Sequence, residues 1–144
     1  MGVNHLALAI GTAVGLYVVI QFKKTGLEKK RWVYPAFLAT FPVYYWVFAV
    51  SASDYRALEK EVAIGVVFVV VALVAYKLES VVGLLLLGTG YIGHAVYDVW
   101  HNQAFVNHGT PSWWPEFCGA VDVLIGLYIV YYALSLKGNS ARNA

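Results

Sequence analysis

Polar residues in this chain fall in short bursts, and the stretches between them are long and apolar. Five such stretches stand out, at about 5–22, 32–50, 61–76, 81–101 and 116–136. None alternates apolar with polar residues, which excludes the strands of a membrane β-barrel. A helix needs about 20 apolar residues to cross the hydrocarbon layer, and these runs approach or reach that length. The pattern predicts an all-α integral membrane bundle forming one domain over residues 1–144, with five transmembrane helices. The third and fourth runs are parted only by residues 77–80, which leaves a four-span alternative. Together they hold about 40 residues, enough for two crossings at about 1.5 Å per residue. The polar tail KGNSARNA is expected to fray.

Composition agrees. Hydrophobic residues make up 60% of the chain, charged residues 12%, and the mean hydropathy is +0.65. A soluble domain carries about a quarter charged residues, so a water-exposed fold is excluded. The net charge of +2 is too small to suggest a nucleic-acid partner. The single cysteine, Cys118, excludes an intramolecular disulfide. The start, MGVNHLALAI, lacks a basic segment and reads as a first span instead of a signal peptide.

Charge sets an orientation. With five spans, Lys23, Lys24, Lys29, Lys30, Arg31, Lys77, Lys137 and Arg142 lie on one side, and only Arg56 and Lys60 on the other. By the positive-inside rule the N-terminus is outside and the C-terminus cytoplasmic; the cytoplasmic membrane of a prokaryote is the expected location, as the resemblance given below implies. Four spans would place the tail with the minority. Acidic residues sort oppositely. Glu28 and Glu79 are on the basic side, whereas Asp54, Glu59, Glu61, Asp98, Glu116 and Asp122 lie toward the outer ends. All four histidines, His5, His94, His101 and His108, belong to the outer half.

That concentration marks the candidate chemistry. At 100° per residue, His94, Asp98 and His101 fall within an arc of about 60° on one helix face. His94 and His101 are two turns apart, on the order of 10 Å along the axis, so one metal would take Asp98 with either histidine. A further ligand must come from another helix, and Asp122 in the last span lies at a similar depth. Its face also carries Cys118 and Gly126. An intramembrane carboxylate costs about 2.5–3.5 kcal/mol at mid-helix on insertion scales, so Asp98 and Asp122 need partners. Imidazole with carboxylate suits zinc best, then iron or manganese. The metal candidates are therefore His94, Asp98, His101 and Asp122, with His108 as a further choice. Asp98, Asp122 and Glu116 are the catalytic candidates, and Glu116 or Asp54 could act as general base. Other readings are a structural Asp98–Asp122 pair, haem held with help from His5, and an ion pathway.

Gly11 and Gly15 form a G-x-x-x-G in the first span, and Gly83, Gly88, Gly90 and Gly93 thin the fourth. Such faces allow close helix approach and could join copies into a homo-oligomer. Gly90 is expected to leave space beside His94. Trp113, Trp114 and Pro115 suit an interfacial belt and helix start, and Pro35 and Pro42 could kink the second span.

The segments GHAVYDVWH, at 93–101, and TPSWWPEFC, at 110–118, together with Asp122, resemble a family of small uncharacterised multi-span prokaryotic membrane proteins with an H-x-x-x-D-x-x-H helix. The resemblance covers about a fifth of the chain and implies membrane location without an activity. More loosely, the pattern is similar to membrane zinc hydrolases of the ceramidase and adiponectin-receptor type. That likeness implies a His/Asp metal site, although the chain has neither seven spans nor a paired H-x-x-x-H. The expectation is an outward-facing His/Asp site performing metal-dependent hydrolysis of a lipid-like substrate, with membrane lipid around it. The alternative is a non-enzymatic membrane protein, either a metal- or small-ligand-binding accessory or a structural subunit of a complex.

Overall fold

The computed structural model describes residues 2–78 and 80–142, with the backbone alone for 139–142. Glu79 therefore lies outside the described residues. Five α-helices follow in order: α1 (His5–Lys24), α2 (Val33–Ser51), α3 (Tyr55–Lys77), α4 (Val81–Ala104) and α5 (Trp114–Arg142). One 3-10 turn, Leu27–Lys29, joins α1 to α2. No strand occurs among the described residues. α5 runs past the expected end of its span to Arg142. No proline interrupts Leu136 to Arg142, and helix-favouring Lys137 and Ala141 lie in it, so the helix continues where fraying was expected.

Four of the helices, α1, α2, α4 and α5, are long and apolar enough to cross a membrane. α3 differs because Arg56, Glu59, Lys60 and Glu61 occupy its first turns. It still runs the length of the bundle. Asp54, its N-cap, meets His108 beyond α4, and Tyr76 near its other end accepts a hydrogen bond from Arg31 at 2.5 Å. The same two ends appear elsewhere. The backbone N–H of Asn4 donates to Glu116 at 3.3 Å at one end, and Tyr128 donates to Glu28 toward the other. A charged burst and a histidine-bearing loop thus share one end, opposite the basic α1–α2 connection.

α5 lies between α1 and α4, and α3 between α2 and α4. The core between them holds Leu38, Phe41, Leu87, Tyr91, Ile125 and Ile129. Glycines set how close the helices come. A Cβ on Gly11 would run into the carbonyl oxygen of Phe117, so α1 seats on α5 there. A Cβ on Gly88 would lie 3.0 Å from the carbonyl oxygen of Gly126, and one on Gly126 3.0 Å from that of Gly88. Gly90 meets Val71 and Leu38 and so serves close packing instead of leaving space. These glycine faces are occupied within the chain. The α2–α3 turn closes with Ser53 in the left-handed region at φ 56°, while the Asp54 N–H reaches back to the Ala49 carbonyl at 2.9 Å. This is the helix-ending turn in which a left-handed residue satisfies the last carbonyls.

Two measurements test this arrangement. With buried Cys118 left in place, cysteines introduced at Ser53 and Gly138 should label from opposite sides of the membrane, Gly138 only after permeabilisation. Labelling from the same side would mean four crossings. Gly11→Ala should cost about 1–3 kcal/mol of stability by overpacking the α1–α5 seat, seen as a lower midpoint in tryptophan-monitored melting. Gly138→Ala, where a Cβ meets nothing, should leave the midpoint unchanged or slightly raised.

Candidate functional site

The close crossing of α4 and α5 at Gly88 and Gly126 brings the next turns of the two helices face to face. His94 and Asp98 lie one turn apart on α4. Asp122 and Cys118 lie one turn apart on α5. Nδ1 of His94 donates to Oδ2 of Asp122 at 2.7 Å and lies 3.5 Å from Oδ2 of Asp98. One donor atom from each of His94, Asp98, Cys118 and Asp122 can be chosen so that all lie within 4.8 Å of one another. All four residues are at least 96% buried. Gly119 on α5 faces the same carboxylate, and a Cβ there would make an ordinary contact at 3.7 Å with Cβ of Asp98.

This group is not self-sufficient. Nε2 of His94, Oδ2 of Asp98 and Oδ1 of Asp122 are buried without a hydrogen-bond partner among the described residues. A buried carboxylate oxygen lacking a donor forfeits its hydration, typically about 1–3 kcal/mol and more when charged. Two carboxylates face one imidazole, so a single imidazolium could balance only one of them. The site has room in its chemistry for a further positive charge.

Aromatic rings surround the imidazole. Phe68 and Phe41 approach it at centroid distances of 4.7 and 5.7 Å, both edge-on. Tyr45 on α2 ties the group to its surroundings. Its hydroxyl donates to Oδ1 of Asp98 at 2.7 Å, and its ring stacks on that of His101 at 4.4 Å and 24°.

His101 itself belongs to a second buried group. Its Nε2 donates to Oε1 of Glu61 at 2.7 Å. Nδ2 of Asn107 donates to the same oxygen at 2.8 Å, and the Tyr97 hydroxyl donates to Oε2 at 2.6 Å. Asn107 also donates to the Tyr45 carbonyl at 3.1 Å and accepts from the Gly109 N–H at 3.2 Å. Gly109 rests on the backbone of Phe48 where a Cβ would collide. The segment after α4 is therefore folded back onto α2 and α3.

The sequence-predicted donors thus separate. His94, Asp98 and Asp122 come together, and Cys118 joins them. His101 shares their stripe, but the two-turn rise carries it to Glu61 instead. His108, 75% exposed in its side chain, pairs with Asp54 at 2.6 Å. Glu116 sits at the first turn of α5, accepts from the Asn4 backbone and is outside the converging set. His5 is exposed at the start of α1 and is not in the converging set. Three contributors escaped the sequence reading. Glu61 ends a charged burst and reads as a boundary. Tyr45 hides in an aromatic run, and Asn107 carries no charge to draw attention. Trp114, expected at the interface, packs on Tyr44 and Phe48 at 5.1 and 5.0 Å.

No protein-family model, curated protein or solved structure matches this chain. The residues alone define the class: a helical, membrane-type bundle with a buried His/Asp/Cys cluster that could hold a metal ion.

At the rim, the His108 hydrogen bond and the Ala57 N–H hold the Asp54 carboxyl below the ordinary carboxylate range. A lowered folded pKa stabilises above the unfolded value of about 3.9, and the contribution is lost as pH falls through the folded value. Asn caps a helix as well as Asp, so Asp54→Asn isolates the charge. The variant should melt below the wild type at pH 6–7, and the two midpoints should converge as the pH drops below about 4. A constant gap across that range would contradict the assignment.

Proposed function

We propose that this chain is an integral membrane protein that binds one divalent metal ion, zinc ahead of iron or manganese, through His94, Asp98, Asp122 and Cys118. The observation that carries the reading is the convergence of these four donors with two carboxylate oxygens left unpartnered in the bundle interior. Nitrogen, sulfur and oxygen donors in fourfold number suit tetrahedral zinc. A divalent ion would also balance the two carboxylates, which a membrane interior penalises. In the orientation set by the charge bias, the site lies in the outer half of the bilayer.

Cys118 decides between the two functional classes. With sulfur bound, the ion has four protein ligands and no position for water, as in a structural site. The protein is then a non-enzymatic metal-binding accessory or subunit of a membrane complex. With sulfur outside the set, three ligands leave one position open, and a bound water there would acquire a pKa near 7, as metal-dependent hydrolysis of a lipid-like substrate requires. Near-complete burial and the ring wall around His94 favour the first class.

Elemental analysis of the purified protein is expected to find close to one metal per chain. His94→Ala and Asp122→Asn should abolish retention, and His108→Ala should not. Tyr45→Phe, which removes a hydrogen bond to a ligand, should weaken affinity about 10- to 100-fold. With cobalt(II) in place, an intense sulfur-to-metal band lost in Cys118→Ser would select the closed site. Metal-free wild-type protein whose melting is indifferent to added zinc and to chelator would overturn the proposal and leave His94–Asp122 as a purely structural pair.

A further inference from the structure

The basic end of the bundle contains a cleft of about 290 Å³, remote from the cluster just described and sharing no residue with it. Its walls come from the α1–α2 connection, the end of α3, the start of α4 and the last turns of α5. We propose that this cleft is a binding site for the phosphate headgroup of an anionic phospholipid. Among the described residues, three cationic side chains, Lys29, Lys30 and Arg31, line it with one acid, Glu28. The acid is already engaged by the Tyr128 hydroxyl. Arg31 is also committed, because it donates to the Tyr76 carbonyl and lies 5.1 Å from the centroid of the Tyr76 ring. Exposed Lys29 and Lys30 supply the charge for a ligand.

Three features select a phosphate on a lipid. The first turn of α4, from Ser80 to Gly83, opens into the cleft; Ser80 caps the Gly83 N–H at 3.4 Å, and the remaining N–H groups of the helix start and its dipole favour an anion. Tyr34 stands in the wall at 97% burial, and its hydroxyl has no hydrogen-bond partner among the described residues. A phosphate oxygen would accept from it. Beyond these polar groups the lining turns apolar, at Leu84, Leu87 and Leu136. A headgroup placed here would have its glycerol and upper acyl carbons against leucine. The volume is near the lower limit of small-ligand sites, about 300 Å³, and so suits a headgroup without the chains. Basic pockets between membrane helices on the cytoplasmic side are a recognised setting for anionic headgroups.

The test uses the whole chain in nanodiscs and native mass spectrometry of retained lipid. Wild-type protein should retain phosphatidylglycerol in preference to phosphatidylcholine. At about 1 kcal/mol per lysine near the surface, Lys29→Gln with Lys30→Gln should weaken that retention roughly 30-fold. Lys23→Gln with Lys24→Gln, on the same side but outside the cleft, should change it little. Tyr34→Phe, which keeps the ring and removes only the hydroxyl, should weaken retention severalfold with unchanged helicity. Glycerol 3-phosphate, which has the phosphate but no chains, separates the sources: failure to displace the lipid supports the lipid site. Displacement at equal concentration would overturn the lipid assignment in favour of a soluble phosphate ester. Equal retention of the two lipids would overturn the proposal. So would equal losses from the two lysine pairs with none from Tyr34→Phe, since diffuse surface attraction explains that result.

Discussion

The crossing of α4 over α5 is the contact on which the rest of this structure depends. Two glycines, Gly88 and Gly126, let the backbones approach until a β-carbon on either would press on the other's carbonyl. One to two turns further on, the same proximity brings His94 within 2.7 Å of Asp122. Larger residues at the crossing would move α5 outward and pull the imidazole and carboxylate apart. The position of the cluster is therefore fixed by packing, and its polar groups occupy places that small residues created. A membrane bundle has reason to work this way. Lipid tails compete with apolar side chains on equal terms, so close van der Waals contact and buried hydrogen bonds are what hold helices together.

Much of this was legible in the sequence, for a reason that also explains what was not. Run length and helical phase are local properties. They suffice for an all-helical membrane chain, for His94 and Asp98 on one stripe, and for Asp122 at a matching depth. Rotation of one helix about its axis relative to its neighbours is not local. Phase put His101 on the His94 stripe and the rise of about 10 Å set the two apart, but neither shows that a carboxylate from α3 claims the outer one. That carboxylate, Glu61, stands at the end of SASDYRALEKE, where a charge ordinarily marks a solvated boundary. It is nevertheless 98% buried, because the segment after α4 folds over it. Tyr45 was invisible for the opposite reason. In the run VYYWVF an aromatic ring needs no explanation beyond the interface, and only the tertiary contact distinguishes it from Tyr44.

The two ends of the bundle solve opposite electrostatic problems. The histidine-bearing end buries acids, and each is met from another element: Glu61 by His101, Tyr97 and Asn107, and Asp98 by Tyr45. The lysine-rich end gathers cations around a cleft, and there Glu28 is hydrogen bonded to a tyrosine. Such a separation is useful to a small membrane protein, since it orients the chain during insertion and gives each face a ligand chemistry of its own.

Tyr45 touches both of the buried groups at the histidine end. Its carbonyl holds Asn107 in the α4–α5 loop, its ring lies flat on His101, and its hydroxyl reaches Asp98. One residue of α2 thus acts as a common reference point for a surface loop and an interior carboxylate. Loop docking and the arrangement of the cluster are thus joined through one residue, and the coupling is reciprocal: docking favours the arrangement by as much free energy as the arrangement favours docking. An event confined to the membrane surface, such as a partner lifting the loop, would be felt at Asp98 without touching it.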